Sequence, residues 1–111
     1  MAESKVKRKI KKIQLIGGGA LWETSAQICA DVLQIPVHIP EQPRQTNTKG
    51  IAFMCLNNLG IVKYDEMKKK LKIKKVFQPQ PQNFVFYEKR LVFYKSLFET
   101  MRPMYATLNR Q

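Results

Sequence analysis

The sequence predicts an α/β fold in which helices cover a sheet of short strands. A short apolar run ends at three consecutive glycines, a helical pattern follows and stops at a proline, and a second short strand then leads to another helix. This order of strand, glycine turn, helix, strand and helix is typical of an α/β layer. The 111 residues, 44% of them hydrophobic, suffice for one modest core.

The first strand and helix flank the glycine turn. Isoleucines and a leucine between residues 10 and 16 predict a buried strand that ends at Gly17–Gly19. Thr24 and Gln27, three residues apart, fit a capping box, in which both side chains satisfy free backbone N–H groups, so the helix is expected to begin there. Pro36 ends this helix because proline has no backbone N–H to donate.

A second strand and a second helix follow. The alternation in "PVHIP" (residues 36–40) predicts a strand that leaves His38 exposed. The polar segment 41–49 is predicted to be a loop, and apolar residues at helical spacing then continue to about Asn58. Gly60 stands where a helix C-cap glycine is common. Two strands are recognisable, which is few for an independent sheet.

The longest predicted helix occupies the carboxy-terminal quarter. From Phe84 to Leu108, aromatic and aliphatic residues recur at steps of three and four, which places them on one stripe. Such a stripe predicts a helix that faces a core rather than an aromatic ligand site. Pro103 predicts a kink or a break near Met101 or Arg102.

Cysteine usage and hydropathy indicate a soluble cytoplasmic protein without a membrane partner. No segment has the roughly 20 uncharged apolar residues that span a bilayer, and no long apolar core follows the basic amino terminus. Cys29 and Cys55 lie in apolar helical patterns and are expected to be buried free thiols. With one histidine in the chain, no metal site is predicted.

The net charge of +12 would attract phosphate-bearing partners. Residues 5–12 and 68–75 contain 12 of the 20 lysines and arginines, a distribution that indicates a solvated tail (residues 1–9) and a solvated loop. Neither run has interleaved aromatic residues on which bases could stack. Specific nucleic-acid binding is therefore not expected, although a basic binding module remains an alternative.

The triple glycine fits neither of the common phosphate-binding motifs. The dinucleotide fingerprint needs a glycine at position 22, where this chain has Trp22, and no Lys-Ser/Thr pair completes a Walker A loop. Glycines between a strand and a helix nevertheless allow a ligand to approach the backbone and the free N–H groups of the helix start.

The order of motifs along the whole chain is more specific. "IGGGA", "QICADVL", "IPVHIPE", "KGIAFMCLNNLG" and "FQPQPQNFVFYEKRLVFYKSLFETMRPMYATLN" together resemble the carboxy-terminal part of FGGY carbohydrate kinases, most closely the xylulokinases. The resemblance covers about residues 10 to 110. It implies the C-terminal portion of an actin-like, ribonuclease-H-like ATPase domain, with residues 10–111 as a partial kinase domain behind the basic tail.

This resemblance implies a nucleotide site. Gly17, Gly18 and Gly19 would lie against the adenosine and phosphates of ATP. Trp22 occupies a position that is usually small and polar in the family and near the adenine, and Ser25 stands where xylulokinases often have tryptophan. The exchange replaces the small polar residue that the family usually has near the adenine with an indole, which can stack on a base.

The resemblance places Gln27, Ala30 and Asp31 in the adjoining motif helix, with Asp31 in helix packing rather than as the catalytic base. In the family, the sugar site, the catalytic aspartate and the first phosphate loop belong to the amino-terminal domain. We therefore assign no catalytic residue here and expect the isolated chain to be inactive. The implied cofactors are ATP and Mg²⁺, and the implied chemistry is phosphoryl transfer to a sugar hydroxyl.

The sequence is compatible with three interpretations. The chain is the nucleotide-side segment of a kinase, a non-enzymatic basic binding module, or an inactive orphan fragment. Under the first, its partners are a nucleotide and either a missing amino-terminal kinase domain or a second copy of itself.

Overall fold

The computed structural model describes residues 9–110, and eight residues of the predicted basic tail lie outside this range. Within it, a sheet has the strand order β1 (Ile13–Gln14), β2 (Val37–Pro40) and β3 (Ile73–Phe77). β1 runs parallel to β2, with Ile13 opposite Val37. β3 runs antiparallel to β2, with Val37 opposite Phe77. The predicted α/β class is confirmed.

Three of the four helices in residues 9–110 follow the order expected from the sequence, with different boundaries, and the third along the chain was not expected. The four helices are α1 (Glu23–Leu33), α2 (Thr46–Asn58), α3 (Tyr64–Lys70) and α4 (Phe84–Leu108), with 3-10 turns at Gly18–Leu21, Pro43–Gln45 and Pro81–Asn83. The segment 41–49 is therefore not all loop, since α2 begins at Thr46. Gly60, with φ of 74°, has the left-handed conformation expected of a C-cap glycine.

The predicted capping box at Thr24 is wrong. α1 begins one residue earlier, at Glu23, and its N-cap is Trp22, which makes no side-chain capping bond. Gln27 instead makes hydrogen bonds away from the helix start. The helix ends at Leu33, before Pro36, because Gln34 turns into the left-handed region with φ of 57°.

The lysine-rich segment is not the solvated loop that its charge predicted. It forms α3 and β3. In α3, Asp65 and Glu66 occupy the first turn and lysines the last turn, an arrangement that complements the helix dipole. β3 is an edge strand, where exposed lysines protect the open edge from pairing with other chains.

The core lies where α1 packs on β2 and β3. Its buried apolar residues are Ala20, Ala26, Ala30, Val37, Ile39 and Phe77. Alanines on the inner face of α1 allow the helix to approach the strands closely.

The two cysteines and the histidine differ from expectation. Cys29 packs partly buried against the core, whereas Cys55 is exposed, so its predicted burial is wrong. His38 is half-buried rather than exposed, and its Nδ1 is buried with no hydrogen-bond partner among residues 9–110. It lies opposite Gln14 of β1 and Val76 of β3, away from the α1 side of the sheet.

The long helix α4 does not face a core of this chain. No residue of Phe84–Leu108 is buried, and Tyr94 and Phe98 are 67% and 60% exposed. The helix continues through Pro103 without a break, so of the two predicted outcomes only a kink stays a prediction. Neither α4 nor another helix within residues 9–110 is long and apolar enough to cross a membrane.

The chain has far more surface than a closed globule of its size. It exposes 9570 Å², whereas a compact protein of 13.0 kDa exposes roughly 6,300 Å². Its radius of gyration is 18.2 Å, against about 13 Å for a compact domain of this length. Large apolar side chains on α2 and α4 account for part of the excess. Such faces are expected to be covered by another polypeptide surface.

Candidate functional site

The glycine turn joins β1 to α1 and is fixed by backbone hydrogen bonds. Gly17 has φ of 86° and ψ of −170°, a conformation that glycine adopts far more readily than other residues. Its N–H donates to the carbonyl of Pro43 at 2.9 Å. The carbonyls of Gly17 and Gly19 accept from Ala20 and Trp22, each at 3.3 Å, and close the 3-10 turn.

The space beside the three glycines is open. A Cβ atom built on Gly17, Gly18 or Gly19 would meet no heavy atom within 4 Å. The positive φ at position 17 explains why glycine is found there. Neither backbone conformation nor crowding within the chain explains why positions 18 and 19 are also glycine. Their missing side chains instead leave a bare stretch of backbone that an external group can approach closely.

Trp22 connects this turn to α1. It is the N-cap residue of α1, and 72% of its surface is exposed. The indole is therefore available to a flat ligand or to another polypeptide surface. When an exposed aromatic ring lies beside open backbone, the base of a nucleotide can stack on the ring while the phosphates of the nucleotide contact backbone N–H groups.

Charges near the start of α1 nearly balance. The free N–H groups of the first turn favour an anion, whereas Glu23 in that turn opposes one. The Glu23 carboxylate is paired with Lys75 Nζ at 2.7 Å, and both side chains are substantially exposed. The Lys75 ammonium also lies 5.0 Å from the ring centroid of Phe77. The pairing reduces the repulsion that Glu23 would exert on a phosphate.

The turn does not enclose a pocket by itself. A cavity of about 80 Å³ lies beside it, between Ala20, Ile39 and Phe77. Sites for drug-sized ligands usually measure about 300–1,000 Å³. The cavity beside the turn is therefore smaller than a typical small-molecule site, and the glycines and Trp22 present an open surface.

Asp31 ties α1 to the segment that leads into α4. Its buried carboxylate accepts hydrogen bonds from Gln27 Nε2 at 2.9 Å, the Gln80 N–H at 2.7 Å and Asn83 Nδ2 at 2.8 Å. Gln27 Nε2 also donates to the carbonyl of Gln78 at 2.8 Å. These bonds give Asp31 the packing role that the motif helix implied and leave its oxygens engaged by N–H donors.

The environment of Asp31 acts on its pKa in two directions. Burial raises the pKa of the carboxyl, but the hydrogen bonds from Asn83, Gln80 and Gln27 lower it more, so the pKa lies below its ordinary value of 3.8. Asp31 therefore stays ionised at neutral pH, as a carboxylate that accepts three donors should.

The sequence predicted the glycine turn but not the residues from later in the chain that pack beside it and beside α1. Lys75 belongs to a segment predicted to be a loop, and the donors from Gln80 and Asn83 come from about 50 residues further along the chain. In residues 9–110, no three His, Cys, Asp or Glu side chains lie close enough together to hold a metal ion.

The fold built around this turn is that of the C-terminal portion of a sugar kinase, as the resemblance predicted. Two solved structures from Lactobacillus acidophilus are similar to the chain: a ligand-bound xylulose kinase and a gluconate kinase. Each has a TM-score of 0.77 and 22% sequence identity, over 96% of this chain and 22% of the other. The chain thus spans about a fifth of their length. No protein-family model and no curated protein matches the sequence.

Proposed function

We propose that this chain is the carboxy-terminal, nucleotide-side segment of an ATP-dependent carbohydrate kinase of the FGGY type. The observation that carries the proposal is the bare glycine backbone, open to approach, at a strand-to-helix junction of a fold shared with solved sugar kinases. ATP supplies the γ-phosphate for transfer to a sugar hydroxyl when it is bound. This chain supplies contacts to the nucleotide.

Each residue of the turn has a physical role in this proposal. Gly17, Gly18 and Gly19 let the nucleotide approach the backbone, and the first turn of α1 offers N–H groups to a phosphate. Trp22 stacks on the base. Mg²⁺ would be brought to this surface by the phosphates of the nucleotide and would offset their negative charge.

In this proposal, sugar binding and proton abstraction are carried out by residues of a second polypeptide surface. We assign the sugar site and the catalytic base to an amino-terminal kinase portion, which also covers exposed apolar faces such as that of α4. The excess surface of the chain supports this assignment. We place the assembled kinase in the cytoplasm, where ATP and sugars meet.

The isolated chain is expected to phosphorylate no sugar. Phosphoryl transfer needs a positioned hydroxyl, a base and metal-bound phosphates in line, and this chain offers contacts to the phosphates alone. A coupled ATP-consumption assay over pentoses, hexoses and glycerol measures this. Sugar-dependent turnover that persists through rigorous purification would contradict the assignment of the base and the sugar site to another surface.

Weak ATP binding at the glycine turn is expected, and amide NMR can locate it. ATP or ADP with magnesium should shift signals at residues 16–24 and leave 68–75 largely unchanged. Gly18→Val should abolish these shifts, because its branched side chain would occupy the space beside the backbone. That space is empty in the chain, so the substitution should leave the fold intact. Half a site buries little ligand, which keeps the affinity low.

A glycine outside the turn and the tryptophan beside it provide controls. Gly50 lies in α2 and also has open space beside it, so Gly50→Ala should leave the ATP-induced shifts unchanged. Trp22→Ala should weaken binding if the indole holds the base. Shifts confined to the lysines, with residues 16–24 silent, would make the triple glycine a structural turn and favour the basic binding module.

A further inference from the structure

A second concave surface lies away from the glycine turn and plays no part in the proposed nucleotide site. It is a cleft of about 740 Å³ formed by α2, α3, the end of β1 and the segment that enters β3. This volume falls within the range of about 300–1,000 Å³ typical of small-molecule sites. None of Gly17, Gly18, Gly19 and Trp22 lines it.

Four lysines and one carboxylate line the cleft. They are Lys49, Lys68, Lys70, Lys72 and Glu41. The ion pair found among residues 9–110 joins Lys75 to Glu23, so no carboxylate of the described chain pairs with a cleft lysine. Lys49 Nζ donates to Gln42 Oε1 at 2.6 Å, a bond that leaves its charge uncompensated. The cleft thus carries an excess of positive charge.

Helix stability explains part of this charge. Lys68 and Lys70 lie in the last turn of α3, where cations complement the helix dipole. That explanation does not extend to Lys49, in α2, or to Lys72, beyond the end of α3. Lysines from separate elements converge on the same cleft.

The rest of the lining is largely apolar. Phe53 of α2, Tyr64 and Met67 of α3, and Leu71 contribute to it. Tyr64 is 65% exposed and Leu71 39% exposed, so part of this apolar surface faces water. A ligand that covers these side chains gains hydrophobic free energy, and an anionic group on it gains attraction to the lysines.

We propose that this cleft binds an apolar anion, a small molecule with a flat or aliphatic body and one anionic group, for which 1-naphthoate is a probe. The body covers Phe53, Tyr64 and Leu71, and the anionic group meets the lysine ammonium groups. The cleft contains no arginine, whose planar fork gives bidentate recognition, so point attraction by lysines holds the anion. This site is independent of the proposed nucleotide site and can be tested separately.

The test is an NMR titration of the full chain with 1-naphthoate. Amide shifts are expected at residues 49–53 and 64–72, and not at 16–24. The double substitution Lys70→Gln with Lys72→Gln should weaken binding about tenfold, since each exposed charge pair contributes up to about fivefold. The matched control, Lys89→Gln with Lys95→Gln on α4, removes the same charge elsewhere and should change affinity by less than about twofold.

Two ligand controls separate the contributions of charge and apolar body. The uncharged 1-naphthalenemethanol should bind more weakly at low salt, and this difference should shrink as salt is added. Acetate, which has the charge without the body, should produce no saturable shifts. Naphthoate shifts spread along α4, or equal losses in the two double variants, would overturn the proposal by showing general adsorption to exposed apolar surface.

Discussion

Replacing Asp31 with asparagine should destabilise the fold by about 2–4 kcal/mol, because a buried acceptor of three hydrogen bonds becomes a group that also carries N–H donors. The new N–H₂ group then either faces one of the former donors or forces the amide of Gln27 or Asn83 to turn over and lose its second hydrogen bond. The free energy of unfolding can be measured in urea by far-UV circular dichroism at one fixed protein concentration. The fixed concentration is needed because self-association would also stabilise the fold.

The control for this experiment is Asp65→Asn. Asp65 is exposed in the first turn of α3, where its charge complements the helix dipole, so the same chemical change there should alter the free energy of unfolding by less than about 1 kcal/mol. Equal effects at the two positions would show that the loss of one negative charge from a strongly basic chain, and not the hydrogen bonds of Asp31, sets the stability.

The same carboxylate predicts a dependence on pH. The pKa of Asp31 is lowered in the folded chain. Its contribution to the free energy of unfolding is therefore complete above the unfolded pKa of about 3.9, and this contribution is lost as the pH falls through the folded pKa. The wild-type chain should therefore lose stability below about pH 4, and Asp31→Asn should lose less. Parallel losses in the two proteins would assign the acid sensitivity to other carboxylates.

Local sequence patterns predicted much of the fold but missed β3. Apolar runs, three glycines and Pro36 predicted β1, the turn, α1 and β2 in their correct order. In β3, Lys74 and Lys75 mask the apolar residues, and the strand exists because it pairs with β2, more than 30 residues earlier in the chain. Local periodicity cannot reveal pairing at that separation.

The site was predictable to a similar extent. The glycine turn could be found from the sequence because its backbone needs a positive φ at position 17. Few residues other than glycine adopt this conformation, so the turn is marked by glycine. The donors to Asp31 could not, because Gln80 and Asn83 are ordinary polar residues until the fold brings them to α1. The cleft lysines were likewise visible as a charge run, but without the apolar side chains beside them.

Periodicity also predicted that α4 has an apolar stripe, yet it could not show what covers the stripe. Within this chain, hydrogen bonding from Gln34 to Glu88 at 3.0 Å and contacts with α1 hold the beginning of the helix. The remainder of the stripe stays exposed. A pattern of apolar residues at helical spacing predicts that one face of a helix is buried, but it does not identify the surface that covers this face.

We expect the isolated chain to self-associate through α4. A stable interface buries about 800 Å² on each partner, which the excess surface of this chain can readily supply. Replacing Tyr94 and Phe98 with glutamine removes two exposed aromatic rings one helical turn apart. Aromatic anchors commonly contribute about 2 kcal/mol or more each, so this double variant should raise the dissociation constant of the assembly at least about 100-fold.

Light scattering measures the mass directly. The wild-type chain should form a dimer or a larger species, and Tyr94→Gln with Phe98→Gln should approach the monomer mass of 13.0 kDa with unchanged helix content. Lys95→Gln with Glu99→Gln alters the same turn of α4 without changing net charge or apolar surface and should preserve the assembly. A wild-type chain that stays monomeric at high concentration would mean that its exposed stripe is reserved for a different polypeptide, as the kinase proposal also allows.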